Sequence, residues 1–295
     1  MDEIINILTE NRLFNDRPSD ISVNKIDEFL KNYEINPGSY NPLPNNIKRN
    51  NDGYIILNEL PYIISDFDTN TRNESFWMIL ENGSRIFVKD CDYFNEMEHE
   101  LLFQELAKIL NIPCASYDIA LLNDKKYLIS NSFLGIDDFI YDYYNLERYK
   151  KQYYVDIEKL LIDAKKINQD LFLRKTLTID GLVKNVDRFP RNFRTIISNG
   201  ENRICPLFDN GLKDKATITE TFIGTKSSFD SIIEYLIQDK NYLNWLKSYV
   251  LNQRIPNIKR IIEQEKKIII DDNTYDSFEE NLYEGKKLIK TIINS

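Results

Sequence analysis

Between residues 54 and 135 the chain alternates short apolar runs with polar turns, the spacing of a β-sheet. Residues 77–80 read Trp-Met-Ile-Leu, residues 81–84 Glu-Asn-Gly-Ser, and residues 85–89 Arg-Ile-Phe-Val-Lys. That pattern predicts a hairpin ending at Lys89. From Glu96 to Leu110 the period changes: Leu102, Phe103, Leu106, Ala107 and Leu110 recur at helical spacing, and Asn111-Ile112-Pro113 stops the helix. Glu100 shares a face with Phe103 and Ala107, at the margin of the apolar stripe, so a half-buried carboxylate is expected there. Residues 127–133 read as a further strand. From residue 136 onward helical patterns dominate, notably 228–250, 258–270 and 275–294. One hairpin interrupts them, with β-prone runs at 193–197 and 203–208 around Ser-Asn-Gly-Glu-Asn. Upstream, residues 1–34 look helical, with Ser22 or Asn24 opening the run from Ile26 to Leu30. Residues 35–53, with Pro37, Pro42 and Pro44, read as a connector. The expected class is α+β: a helical segment and linker over 1–53, a strand-rich part with one helix over 54–135, and a larger helical part over 136–295.

The second hairpin carries the chemistry. Asn185-Val186-Asp187-Arg188-Phe189-Pro190-Arg191-Asn192 precedes it, and Pro206-Leu207-Phe208-Asp209-Asn210-Gly211 closes it. The open ends of an antiparallel hairpin meet, with strands about 5 Å apart. Asn192 enters the first strand and Asp209 leaves the second, so the two could share a magnesium ion, with Asp187 one short loop upstream. An acid for the attacking hydroxyl plus an amide and a second acid for the metal is the layout of a phosphoryl-transfer site, where positioning and charge neutralisation do most of the catalysis. In a chain so rich in Asn and Asp, a lone Asn-x-Asp would mean only a turn. The full constellation is more demanding.

Residues 185–192 with 206–211 resemble the catalytic and metal-binding segments of HipA-like serine/threonine kinases and, more distantly, of phosphatidylinositol kinases. The resemblance covers residues 75–135 and 170–215. It implies a two-lobed protein-kinase-like fold with a small β-rich N-lobe holding one helix and a larger helical C-lobe holding the catalytic hairpin. It also implies ATP and Mg2+ as cofactors, Asp187 as catalytic base, and Asn192 and Asp209 as magnesium ligands. Phe189 departs from the His often found at that point. Arg191 would add positive charge near the transferred group. Lys89 would bridge to the α- and β-phosphates, held by Glu100, with Glu98 and Glu96 as the alternative partners. Residues 127–133 look like the last strand and hinge, with backbone near Asn131 and Phe133 meeting the adenine. The phosphate-covering segment, 65–75, has no glycine. It is similar to the Ser-bearing loops of these kinases that can be autophosphorylated, which makes Thr69, Thr71 and Ser75 candidate phosphoacceptors. An ordinary polar surface loop is the competing reading.

Composition narrows the remaining classes. The net charge of −9 comes without a dense basic block, so direct nucleic-acid binding is not expected, and docking to anionic lipid is disfavoured. A single histidine, His99, excludes His-rich metal sites and serine-hydrolase triads, and His99 reads as a surface residue. Cys91, Cys114 and Cys205 show no metal spacing and read as reduced thiols, which with an acidic N-terminus lacking a signal pattern predicts a cytoplasmic protein. Apolar runs such as 268–270 are far shorter than the about 20 residues a membrane span needs. The expected activity is protein Ser/Thr phosphorylation with a protein substrate. The rivals are a lipid or small-metabolite kinase and a catalytically silent binding module.

Overall fold

The computed structural model describes residues 23–35, 41–44, 46–67, 75–91, 95–134, 138–142, 157–185, 188, 194–210 and 228–295. The chain forms two compact units. The first comprises Met1–Asp92, Ser116–Asp138 and Lys266–Ile268, the second Tyr93–Ala115, Phe139–Glu265 and Ile269–Ser295.

In the first unit, β1 (Ile55–Ile56), β2 (Tyr62–Phe67), β3 (Ser75–Leu80), β4 (Arg85–Lys89), β5 (Tyr117–Leu122) and β6 (Lys125–Asn131) form one sheet in the order β1-β5-β6-β4-β3-β2. Only β1 and β5 run parallel. The predicted first hairpin is present as β3–β4, with Ile79 opposite Arg85 and Ser75 opposite Lys89. Two residues join β5 to β6, Asn123 and Asp124, both at positive φ (51° and 61°), the requirement of a type I′ turn. Period two then sorts the side chains. Phe76, Met78, Ile86, Val88 and Ile129 point to one face, where Ile55 and Leu57 cover them. Lys89 lies on the other face with Trp77 and Phe87, whose rings are 5.1 Å apart. On that face α1 (Val23–Asn32) sets Ile26 and Leu30 against Ile79.

A distant segment completes this unit. Asp118 accepts from both Arg49 terminal nitrogens (3.0 and 2.7 Å) and from Lys266 Nζ (3.4 Å), which also donates to the Tyr117 carbonyl at 3.0 Å. Gly53 sits beneath this segment at φ +85°, and a Cβ there would come within 2.4 Å of the Lys266 carbonyl oxygen. Only glycine fits.

The second unit holds α2 (Glu96–Ile109), α3 (Ile157–Lys166), α4 (Asp170–Leu182), α5 (Phe229–Leu236), α6 (Lys240–Trp245) with a π-helical turn Leu246–Leu251, α7 (Ile258–Lys266, its last residue passing into the first unit) and α8 (Asp272–Asn294). It also holds a small sheet in the order β7 (Asp138–Asp142), β8 (Arg194–Ser198), β9 (Glu201–Ile204). Helix α2 ends as its sequence predicts. Asn111 takes a left-handed conformation, and the Ile112 N–H donates to the Ala107 carbonyl at 2.8 Å while that of Asn111 donates to Lys108, a Schellman closure. Leu101, Leu102, Phe103, Leu106 and Ala107 are all fully buried. So is His99, at 3% exposure, against the expectation of a surface residue: α2 is buried beyond the single stripe its pattern showed.

Other boundaries moved for local reasons. The expected helix over 228–250 is interrupted because Asp239 caps α6, accepting from the Tyr242 N–H at 2.8 Å. The one expected over 258–270 stops at Lys266 because Lys267 turns left-handed. The last helix starts at Asp272 because Asp271 caps it through the Thr274 N–H. The α+β class is as expected, with a β-rich first unit and a helical second unit carrying a hairpin. Among the described residues, no helix is long and apolar enough to cross a membrane, and the three cysteines are free thiols.

Candidate functional site

Helix α4 ends in the same way as α2, and its end builds the site. Lys184 is left-handed, and the Asn185 N–H donates to the Asp180 carbonyl at 2.8 Å. The Asn185 side chain then reaches back, its Nδ2 donating to Asp180 Oδ1 at 2.8 Å. One helix terminus thus fixes where the chain sets out towards residues 186–192.

Arg188 is the anchor. Its Nε donates to Asp180 Oδ2 and its Nη2 to Asp180 Oδ1, both at 3.0 Å, a bidentate ion pair in which neither side chain is exposed. Nη1 donates to the Phe208 carbonyl at 2.9 Å, and Nη2 also donates to Asn210 Oδ1. The guanidinium lies 5.8 Å from the centre of the Phe103 ring. Burial lowers the Arg188 pKa, but the charge and hydrogen bonds of Asp180, together with the nearby Glu100 charge, hold the guanidinium above its ordinary value. Burial lifts the Asp180 carboxyl, opposed by Arg188 and by the Asn185 amide.

The hairpin that carries Asp209 is shorter than the sequence suggested. Ser198 pairs with Glu201 across Asn199 and Gly200, both at positive φ (50° and 81°), another type I′ turn. Strand β9 ends at Ile204, because the chain leaves it to pair elsewhere. Leu207 donates its N–H to the Pro113 carbonyl at 2.9 Å and accepts from the Ala115 N–H at 2.7 Å. Asp209 follows, half-buried and left-handed at φ +55°, a region Asp tolerates better than most residues. Asn210 is fully buried. Its N–H donates to Glu100 Oε1 at 2.6 Å and its Nδ2 to Glu100 Oε2 at 3.0 Å.

Glu100 is therefore fully buried rather than marginal, and both of its oxygens are engaged by Asn210. Carboxylate oxygens of Glu96, Glu100 and Asp209 lie within 4.8 Å of one another. Glu98 is directed elsewhere and accepts from the Asp271 N–H at 3.0 Å. The Cys114 thiol sits 3.9 Å from Asn210 Nδ2, and burial, with the nearby Glu100 charge, pushes its pKa well up.

The structure gathers Glu100 and Asp209 among the residues singled out from the sequence. Asp187, Arg191, Asn192, Thr69 and Thr71 lie outside the described residues. In the first unit, Lys89 ends β4, half-buried. Ser75 opens β3 opposite it and is 1% exposed, a poor position for a hydroxyl that must reach a nucleotide. The Asn131 N–H donates to the Ser116 carbonyl at 3.4 Å, and its side chain accepts from the Leu43 N–H at 3.1 Å, so its amide belongs to the sheet. Half-buried Phe133 lies just beyond, where the chain leaves β6. Sequence reasoning missed Asp180, Arg188 and Asn210 as a unit, and weighed Glu96 only as an alternative partner for Lys89 or an ordinary helix acid, not as a neighbour of Asp209. The available signal was an Arg inside an otherwise acidic and amide-rich run.

No protein-family model and no curated protein sequence matches the chain. Among solved structures it is similar to the proinflammatory kinase CtkA of Helicobacter pylori, with 13% identity, 82% of this chain and 93% of that chain covered, and a TM-score of 0.47. It is also similar to a structure of the HipA, HipB and operator DNA toxin–antitoxin complex of Shewanella oneidensis MR-1. There the identity is 14%, the coverage 96% of this chain and 74% of that chain, and the TM-score 0.48.

Proposed function

We propose that this protein is an ATP- and magnesium-dependent kinase that phosphorylates Ser or Thr hydroxyls of a protein, its own chain included. One observation carries the reading: the buried Arg188 ties the segment that holds Asp187 to the one that holds Asp209. In sequence, Asp187 immediately precedes Arg188, and Asp209 lies between Phe208 and Asn210, both of which accept from Arg188. A buried ion pair is costly to assemble, and one that fixes two loops is best understood as serving their geometry.

In the reaction, the acceptor hydroxyl oxygen forms a bond to the γ-phosphorus as the bond to the β–γ bridging oxygen breaks and ADP leaves. Asp187 takes the hydroxyl proton. Asp209 and Asn192 would hold the magnesium, which supplies charge neutralisation on the phosphates when bound. The hard carboxylate oxygens of Asp209 and Glu96, within 4.8 Å of each other, fit such an ion. Lys89 would bind the α- and β-phosphates and Arg191 the transferred group. Because the Asn131 amide is committed to the sheet, the backbone at Phe133 is the better candidate for the base.

The test is incubation of the purified chain with γ-labelled ATP and Mg2+, alone and with a mixture of candidate protein substrates. Label on Ser or Thr, lost at least a hundredfold in Asp187→Ala and in Asp209→Ala, is expected. Transfer that survives both substitutions, or label found only on lipid or metabolite, refutes the assignment.

A further inference from the structure

We infer that Glu100 is a positioning residue for Asp209, acting through Asn210. The inference rests on the reading of Asp209 as a metal ligand. Asp209 occupies a left-handed conformation, and both of its neighbours are clamped. On one side Arg188 holds the Phe208 carbonyl. On the other, Glu100 holds the Asn210 N–H and Nδ2, while Arg188 holds Asn210 Oδ1.

The Asn210 amide has a single workable orientation. Arg188 can only donate, so the amide oxygen must face it; the Glu100 carboxylate can only accept, so the amide nitrogen must face that side. Both backbone connections of Asp209 are thereby set, and with them the direction in which its carboxylate leaves the chain. Glu100 sits in mid-α2, a rigid helix, so the Asp209 loop is indexed to that helix. Any shift of α2 would be passed to the metal ligand.

Polarity makes the idea testable. In Glu100→Gln the new amide nitrogen meets either Asn210 Nδ2 or the Asn210 N–H, donor against donor whichever way the glutamine amide turns, and turning the Asn210 amide over only moves the conflict to Arg188. In Asn210→Asp alone, two carboxylates face each other. Combined, the two substitutions exchange donor and acceptor across the same contact, leave the net charge unchanged and keep an acceptor for Arg188.

The experiment is Mn2+ binding by electron paramagnetic resonance without nucleotide, using the full chain. Each single variant is expected to bind Mn2+ at least tenfold more weakly, and the double variant to recover to within threefold of wild type. Tyr242→Phe, which loses a buried hydrogen bond to Thr178 in the same unit, controls for lost stability and should leave Mn2+ affinity unchanged. Single variants that bind like wild type overturn the inference while leaving Asp209 as a ligand. A double variant as weak as the singles also overturns it, because that is the behaviour of a Glu100 that binds the metal directly. Absence of Mn2+ binding by the wild-type chain removes the Asp209 reading and this one with it.

Discussion

Replacing Arg188 by Ala strands the Asp180 carboxylate, the Phe208 carbonyl and Asn210 Oδ1, in a site where the Arg188 and Asp180 side chains are 0% exposed. Removing one partner of a buried ion pair costs about 3–5 kcal/mol. Each stranded neutral acceptor adds up to about 1–3 kcal/mol where the site cannot relax. We therefore expect a loss of at least about 4 kcal/mol, or about 10 °C in melting temperature for a chain of this size. Removing both charges in Asp180→Leu/Arg188→Leu should cost clearly less than the sum of the two single substitutions, with a coupling energy above about 2 kcal/mol. The chain has two tryptophans, Trp77 in the first unit and Trp245 in the second. Urea unfolding followed by fluorescence in a Trp77→Phe background reports on the unit that holds the pair. The Arg188→Ala variant should also be less impaired at acid pH. Burial already lifts the Asp180 carboxyl above its ordinary value, and without Arg188 a bound proton is the remaining way to neutralise it. A folded pKa above the unfolded one gives stability that is complete below the unfolded value and is lost as pH rises through the folded one. Single-variant effects that add to within about 0.5 kcal/mol, or an Arg188→Ala penalty that does not shrink on acidification, would refute the anchor.

Two further expectations concern the second unit. A Cβ at Gly181 would lie 2.0 Å from the Phe229 ring, so Gly181→Ala should destabilise by about 1–3 kcal/mol despite the better helix propensity of Ala; urea midpoints should show a smaller penalty in a Phe229→Leu background, and an unchanged one refutes the clash. Burial pushes the Cys205 thiol up from 9.0 to about 12, so its contribution is complete below pH 9 and is lost between pH 9 and 12, by up to about 1.4 kcal/mol per pH unit. Denaturation series over that range should be less steep for Cys205→Ala than for wild type, and equal slopes refute the assignment.

Much of the architecture was legible because local signals agreed with tertiary packing. The β3–β4 hairpin followed from alternation and a Gly-containing turn, and α2 from its apolar spacing and the Asn111 stop. What the pattern could not report is what lies on the far side of an element. Glu100 looked marginal and His99 exposed because periodicity sees one stripe, whereas α2 is buried more widely. The Asp209 segment looked like the tail of a hairpin strand, since nothing local reveals that Leu207 would leave β9 to pair with Pro113 and Ala115, nearly a hundred positions earlier. Arg188 escaped notice for a related reason. An arginine beside candidate catalytic acids suggests solvent or substrate, and its actual hydrogen-bond partners come from two separate stretches of sequence.

The strap Lys266–Ile268 has a consequence for synthesis. Gly53, Arg49 and Asp118 are made early but are shaped to receive a segment made near the C-terminus. A ribosome elongating at about 5–20 residues per second reaches that segment roughly ten seconds after the last sheet strand has emerged. During that interval the nascent sheet carries a bare glycine ledge with no occupant, and Asp118 has Arg49 but not yet Lys266. A chain cut before Lys266 should leave the same gap permanently open, and co-expression with a peptide spanning the strap is the natural way to fill it.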